Sequence, residues 1–68
     1  MNMREPEWRG NTLFRRARVL GWIGYDLTFK FWYARTAGTI DNPVVRGEFD
    51  NEQSARDFLQ FITTVENT

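Results

Sequence analysis

The clearest pattern of apolar and polar positions lies in residues 44–65, where a period of two gives way to a helical period. Val45 and Phe49 fall on one face of a predicted strand, because side chains alternate across a strand. Asp50 is placed to cap the next element, and Gln53 completes a capping box. Apolar residues then recur at the spacing of an amphipathic helix, at Ala55, Phe58, Leu59 and Ile62. The pattern predicts a strand, a tight turn and a helix that covers a sheet.

A second predicted strand lies upstream, between two turn-like stretches. Residues 25–36 alternate with a period of two and are rich in aromatic and β-branched side chains, which favours a strand. The turn that leads into this strand is predicted at residues 24–26. The turn that leaves it is predicted at residues 37–43, which contain Gly, Asp, Asn and Pro.

The segment before these strands has two interpretations. As a strand from Arg16 onward it gives an α+β fold class, a three-stranded antiparallel sheet with one C-terminal helix packed on one face. As a helix over residues 12–20 it gives the order α-β-β-α. We favour the strand. Residues 1–11 are predicted to be a loosely ordered arm from which Trp8 docks as a lid over the core, and residues 12–68 a single ββ βα domain.

The period of two divides the predicted sheet into two faces. The inner face would hold Ala17, Val19, Ile23, Leu27, Phe29, Phe31, Tyr33, Val45 and Phe49. The outer face would hold Arg16, Arg18, Trp22, Thr28, Lys30, Trp32, Val44, Arg46 and Glu48. Cations and aromatic rings on one face are typical of nucleic-acid binding, because Arg contacts phosphates and base edges while rings stack on bases. For each cation alone, an ordinary solvated sheet face is the alternative, whereas two exposed tryptophans indicate an interface.

The composition leaves little room for catalysis. The 68 residues include no Cys and no His, which removes disulfides, the commonest metal ligands and the usual neutral-pH proton shuttle. Asp26 and Asp41 fall in turn-like stretches, where Asp bonds to the local backbone. We therefore predict a non-enzymatic protein with no catalytic residue, metal or cofactor. No apolar run approaches the roughly 20 residues of a membrane span, which predicts a soluble, cytoplasmic protein without a membrane partner.

The charges are balanced in number but not in position. Residues 1–46 hold eight of the nine basic side chains and four of the nine acidic ones, and residues 47–68 hold the rest. The predicted sheet half is therefore basic and the helix half acidic. The acidic side chains Glu48, Glu52 and Asp57 would offer a negative surface to a basic groove on another protein. Carboxylates at the start of a helix are also expected from the helix dipole alone.

A family resemblance lies in residues 32–59. They contain a strand with Trp that ends in Arg, a turn, a strand that runs into Gly-x-Phe-Asp, and a helix with Ala eight residues after the Gly. These places are occupied by Trp32, Arg35, Gly47, Phe49, Asp50 and Ala55. The run resembles the second half of the AP2-type DNA-binding domain and is similar to the three-stranded arm-binding domains of phage integrases. The resemblance implies a sheet that lies in the major groove of DNA, with contacts from Trp32, Arg35, Arg16 and Arg18.

Three hypotheses for a binding module follow. The first is DNA or other nucleic-acid binding by the sheet, through Arg16, Arg18, Trp22, Lys30, Trp32, Arg35 and Arg46. The second is a phage-encoded, anti-CRISPR-like inhibitor or regulator that binds a host protein through the tryptophan face or through Glu48, Glu52 and Asp57. The third is a homodimer that buries Trp22 and Trp32 between two sheets or pairs two edge strands.

Overall fold

A computed structural model describes residues 6–66 of the chain, and the side chains of residues 6–64. It is an α+β structure in which one helix packs on one face of an antiparallel sheet, and the sheet has five strands. The elements are β1 Glu7–Arg9, β2 Thr12–Arg15, β3 Arg18–Asp26, β4 Phe31–Thr36, β5 Arg46–Phe49 and α1 Glu52–Glu66. The α+β class is confirmed, but the predicted number of three strands is wrong. The α-β-β-α alternative is also wrong, because residues 12–20 belong to β2, its turn and β3.

The sheet is a meander. The strand order is β1-β2-β3-β4-β5, so each strand pairs with its neighbour in the sequence. The strand β1 lies in the segment that was predicted to be a loose arm. It could not be recognised from the sequence, because three residues are too few to show an alternation of apolar and polar positions. Gly10, at φ 62°, opens the two-residue turn to β2, a place that favours glycine. Residues 1–5 of the predicted arm and residues 67–68 of the predicted domain lie outside the described residues.

Trp8 packs against the core, as predicted. Its indole N–H donates to the Oε1 atom of Gln60 at 3.3 Å, and the Arg56 guanidinium carbon lies 4.5 Å from its ring centroid. Arg56 also donates to the backbone oxygen of Gly10 at 3.2 Å. These contacts join β1 to α1 and explain why this short edge strand is ordered.

The hairpin between β3 and β4 differs from the prediction. The turn is not at residues 24–26, which belong to β3, but at residues 27–30. The Oδ1 atom of Asp26 accepts hydrogen bonds from the backbone N–H groups of Thr28 at 2.9 Å and Phe29 at 3.0 Å. Lys30 completes the turn at φ 60°. A carboxylate that accepts hydrogen bonds from the backbone N–H groups that follow it favours a turn. Here it ends β3 at Asp26, although the alternation of side chains predicts a strand that continues through residues 27–30.

The predicted inner face is wrong at this turn. Leu27 and Phe29 keep the period of two but lie at the hairpin tip, where they are 81% and 75% exposed. Ala17 lies exposed in the turn from β2 to β3, and Val45 lies exposed ahead of β5. The tip, defined here as residues 27–30, therefore displays two large apolar side chains to solvent.

The core lies between the sheet and α1. Its buried apolar members are Leu13, Ile23, Ala34, Ala55 and Leu59. Around them pack the half-buried side chains of Trp8, Leu20, Trp32, Phe49, Phe58 and Ile62. The predicted apolar stripe of the helix is confirmed. The predicted cap is wrong by one residue, because Asn51, not Asp50, accepts the backbone N–H of Ser54 at 2.8 Å. Gln53 closes no capping box and instead donates to Asp57.

Small residues of β3 and β4 let the helix approach the sheet closely. Ala34 is fully buried, and a Cβ atom built on Gly21 would meet the backbone oxygen of Arg35 and lie 2.8 Å from Cδ1 of Leu59. A side chain at position 21 has no room on this side, which we call the helix side. The opposite side of the sheet is the open face.

The two faces of β4 are the reverse of the prediction. Trp32, Ala34 and Thr36 lie on the helix side, while Phe31 and Tyr33 lie on the open face with Arg35. A strand with aromatic residues at both parities gives no preference for either face, so its orientation is set by its partners in the sheet.

A register shift also moves two residues of β3. Leu13 of β2 pairs with Gly21, but the next residue, Phe14, pairs with Val19. Leu20 is therefore left without a partner in β2. Leu20 therefore packs against the core, and Val19, predicted to be inside, is 38% exposed. The predicted inner positions of Ile23 and Phe49 are confirmed.

Candidate functional site

The open face combines cationic and aromatic side chains. In the described part of the chain no helix or strand packs on it, since α1 lies on the other side. It carries three arginines, four aromatic rings and two carboxylates: Arg9, Arg35, Arg46, Phe14, Trp22, Phe31, Tyr33, Glu7 and Glu48. This mixture is unlike the polar surface that an exposed antiparallel sheet usually presents.

Strand register brings the central members together. Trp22 of β3 pairs with Arg35 of β4, and Arg35 pairs in turn with Arg46 of β5. Residues directly opposite each other project to the same face, with Cβ atoms about 5 Å apart. Three neighbouring strands therefore place one tryptophan and two arginines in a row across the middle of the open face.

Each arginine lies over an aromatic ring. The guanidinium carbon of Arg35 is 4.5 Å from the ring centroid of Trp22, and that of Arg9 is 4.8 Å from the ring of Phe14. Arg46 lies 5.1 Å from the ring of Tyr33 and 5.7 Å from that of Phe31. These distances are in the range of cation–π contact, and a planar guanidinium can stack on a ring while its edge stays free to bind.

A glycine makes room for one of the rings. Gly24 pairs with Tyr33, and a Cβ atom at position 24 would lie only 2.5 Å from the Cζ atom of the tyrosine. The phenol ring therefore lies across the backbone of β3 instead of projecting into solvent. Gly24 thus shapes the open face, whereas Gly21 shapes the helix side.

The charges on the open face are unequally neutralised. Glu7 accepts from the Nε atom of Arg9 at 3.4 Å, and Glu48 accepts from Nη1 of Arg46 at 2.8 Å. Both pairs are largely exposed, so each contributes little to stability. Among the described residues Arg35 forms no ion pair, and its Nε donates to the backbone oxygen of Thr36 at 3.3 Å. The central cation is therefore available to a ligand.

The residues predicted from the sequence divide between the two sides of the sheet. Trp22, Arg35 and Arg46 meet on the open face, as described above. Trp32 lies on the helix side, where its ring packs edge-on against Tyr25 with centroids 5.3 Å apart. Arg18, at the start of β3, lines a cavity of about 80 Å³ together with Thr63 of α1. The predicted homodimer in which two sheets bury Trp22 and Trp32 together is therefore not possible through one face, because the two tryptophans lie on opposite sides of the sheet.

The two remaining predicted cations lie in turns at opposite ends of β3. Arg16 is in the turn from β2 and has φ 59°, and Lys30 is in the turn to β4 and has φ 60°. Both are exposed. Nine residues of β3 separate the two turns, about 30 Å of extended chain, so they do not belong to one site.

Five members of the open face were missed by the sequence analysis, among them Glu7 of β1. Arg9 and Phe14 belong to the unpredicted strands β1 and β2, and Phe31 and Tyr33 were assigned to the inner face. A signal for the correct orientation of β4 does exist in the sequence. Ala34 is the small residue of that strand, and a helix packs most closely over small residues.

The three carboxylates predicted to offer an acidic surface do not all lie on one element. Glu48 lies on the open face beside Arg46. Glu52, in the first turn of α1, accepts from Arg56 at 2.6 Å, and Asp57 accepts from Gln53 at 2.8 Å. The three carboxylates are divided between the open face and the helix, and each one has a partner on its own element.

Comparisons with models of protein families, with curated proteins and with solved structures find no match to this chain. Over residues 6–66, no helix combines the length and the apolar character needed to cross a membrane. The functional inference therefore depends on the geometry and the charges of the open face.

Proposed function

We propose that the protein is a non-enzymatic module that binds nucleic acid through its open face. The observation that supports this most strongly is the direct pairing of Arg35 with Arg46. Like charges opposite each other on neighbouring strands destabilise a sheet, and an anion between them converts repulsion into attraction. A phosphate group is such an anion, and each arginine of the pair lies over an aromatic ring on which a neighbouring base can stack.

Arg35 has the contacts expected of a side chain that binds phosphate. Its ring partner Trp22 and its bond to the Thr36 carbonyl fix the orientation of the guanidinium group. In the described part of the chain its Nη atoms donate no hydrogen bond. Arg presents its N–H groups as a fork that matches two phosphate oxygens, so a fixed and unpaired guanidinium binds with little loss of side-chain freedom.

The test is fluorescence anisotropy with labelled nucleic acid at several salt concentrations. We expect binding that weakens with salt, and we expect Arg35→Gln and Arg46→Gln each to weaken it and to reduce the salt slope by about 1. Lys30→Gln is the matched control, because it removes one exposed charge at the hairpin tip without touching the open face. Absence of binding at low salt, or equal losses in all three variants, would contradict the proposal.

Protein binding is a second candidate function, and the hairpin tip favours it. Leu27 and Phe29 are exposed in a turn that Asp26 holds in one conformation. Ordered apolar side chains at a protruding position are typical of protein interfaces. Sedimentation velocity of the wild type and of L27S/F29S tests a second copy as the partner. A concentration-dependent dimer that the double variant abolishes supports it, and a monomer in both samples excludes it.

A further inference from the structure

We infer that the open face takes an unpaired strand of nucleic acid and discriminates against duplex. This rests on the proposed function and specifies its ligand. The ligand is defined by two chemical features, a phosphate backbone and bases whose flat faces are free to stack. Single-stranded DNA and single-stranded RNA both have these features.

The width of the sheet argues against a duplex ligand. Strands lie about 4.8 Å apart, so the five strands of the meander span about 19 Å between the outer two. The major groove of B-DNA is about 12 Å wide. The open-face arginines are spread across the whole sheet, from Arg9 on β1 to Arg46 on β5. A sheet inserted into the groove could therefore not bring both outer arginines to the base edges.

The aromatic rings argue for unpaired bases. The side chain of Trp22 is half-buried, so part of its surface remains open beside Arg35. Bases inside a duplex already stack on each other, whereas bases of a single strand can stack on aromatic rings and on guanidinium planes. Both kinds of surface are present in each arginine–ring pair of the open face.

The rings also define a path for the strand. Arg9 with Phe14, Arg35 with Trp22, and Arg46 with Tyr33 form three stacked pairs that succeed one another across the sheet. The ring of Tyr33 lies over Gly24, which is two residues from Trp22 on β3. The two rings are therefore about 7 Å apart along that strand. We infer that the strand crosses the β-strands and passes the three pairs in order, with the unpaired Arg35 as its central phosphate contact.

The experiment compares labelled oligonucleotides of about 12 nucleotides, which is within the usual range for one small binding domain. The probes are oligo-dT, oligo-rU, a mixed-sequence single strand, and the duplex made from that mixed strand. Anisotropy is measured at about 50 and 200 mM salt, because affinity depends steeply on salt. We expect the single strands to bind more tightly than the duplex, and the dT and rU arms identify which nucleic acid is preferred.

Variants separate stacking from charge. Loss of one stacked base corresponds to about a 5- to 140-fold decrease in affinity, so we expect a decrease in this range for Trp22→Leu. Trp22→Phe keeps a ring and should retain most of the binding, which guards against a fold defect in the leucine variant. Phe61→Leu is the matched control, since Phe61 is an aromatic residue of α1 that is 66% exposed on the other side of the molecule.

The outcomes distinguish the two proposals. If neither single strand nor duplex binds at low salt, both the nucleic-acid function and the inference fail. If the duplex binds as tightly as its own single strand, the function stands and the inference is overturned. If single strands bind but Trp22→Leu matches the wild type, binding is electrostatic and the stacking path is wrong. Preference for single strands that Trp22→Leu removes and Phe61→Leu retains supports the inference.

Discussion

Arg35 and Arg46 are direct cross-strand partners, yet their guanidinium groups turn to different rings, Arg35 to Trp22 and Arg46 to Tyr33. Two arginines therefore stand directly opposite each other, and of the two only Arg46 has a carboxylate partner, Glu48, among the described residues. In a sheet whose stability depends on cross-strand pairs, this is an unfavourable choice unless the pair has another use. The proposed anionic ligand would give the pair such a use.

A double-mutant cycle measures this relationship. We expect Arg35→Gln and Arg46→Gln to show a repulsive coupling in the free energy of unfolding of about 0.2–1 kcal/mol, because like charges directly opposite each other destabilise a sheet by about this amount. Urea unfolding of the wild type, both single variants and the double variant gives the coupling. It should shrink at high salt, where exposed charges are screened. An attractive coupling, or one that salt leaves unchanged, would contradict the expectation.

The ion pair of Arg46 with Glu48 should limit the affinity of the open face. The carboxylate accepts from Nη1 at 2.8 Å and so competes with a phosphate for the same donor. We expect Glu48→Gln to raise the affinity for an oligonucleotide by about 2- to 5-fold at low salt, as an exposed ion pair is worth under about 1 kcal/mol. Asp57→Asn, which makes the same change in net charge on α1, serves as the control. An equal gain in both variants would indicate a general charge effect.

Elements with a strong pattern were predictable from the sequence, and those fixed by long-range pairing were not. The helix was correct because Ala55, Leu59 and Ile62 repeat on one side, which only a helix produces. The hairpin turn was misplaced because Leu27 and Phe29 continue the strand period into a turn that the Asp26 carboxylate determines. Local hydrogen bonding prevailed over apolar periodicity.

The candidate site was predictable only in part for a related reason. Trp22, Arg35 and Arg46 were identified because cations and rings stand out in any face assignment. The face of β4 depends on its register with β3 and β5, and both parities of that strand are aromatic. Trp32 was therefore assigned to the open face in place of Tyr33. A strand shifted by one residue turns all of its side chains to the opposite face of the sheet.

Two glycines of β3 should respond differently to the same substitution. We expect Gly21→Ala to lower the free energy of unfolding by about 2–3 kcal/mol or more, because the new methyl group meets the Arg35 backbone and the Leu59 side chain. Gly24→Ala meets only the far end of the Tyr33 ring, which can move, so its cost should stay below about 1 kcal/mol. Urea unfolding compares the two.

Binding should show the opposite sensitivity. A displaced Tyr33 ring alters the open face, so Gly24→Ala should reduce oligonucleotide affinity although the protein stays folded. If Gly24→Ala destabilises the protein as much as Gly21→Ala does, the assignment of the two glycines to different sides of the sheet is wrong.

The hydroxyl of Thr36 should matter more than its methyl group. Thr36 is 3% exposed, and its Oγ1 atom accepts the backbone N–H of Val45 at 2.9 Å while its own N–H donates to the Val45 oxygen at 2.9 Å. Thr36→Val leaves the Val45 N–H without its acceptor, which should cost about 1–3 kcal/mol. Thr36→Ser keeps the hydroxyl and should cost less. Thermal and urea unfolding of both variants measure the loss of stability. Equal losses in Thr36→Val and Thr36→Ser would contradict the expectation that the hydroxyl matters more than the methyl group.

The meander has a consequence for how the chain folds. Successive strands are joined by connections of two, two, four and nine residues, so each pairing closes only a short loop and the sheet can grow one hairpin at a time. The contacts of Trp8 with Gln60 and with Arg56, and that of Arg56 with Gly10, join residues more than 45 positions apart in the chain. We expect these long-range contacts to form after the transition state, so weakening them should speed unfolding while leaving the refolding rate nearly unchanged. On this expectation the contacts between the β1 hairpin and α1 set how long the folded state persists, not how quickly it is reached.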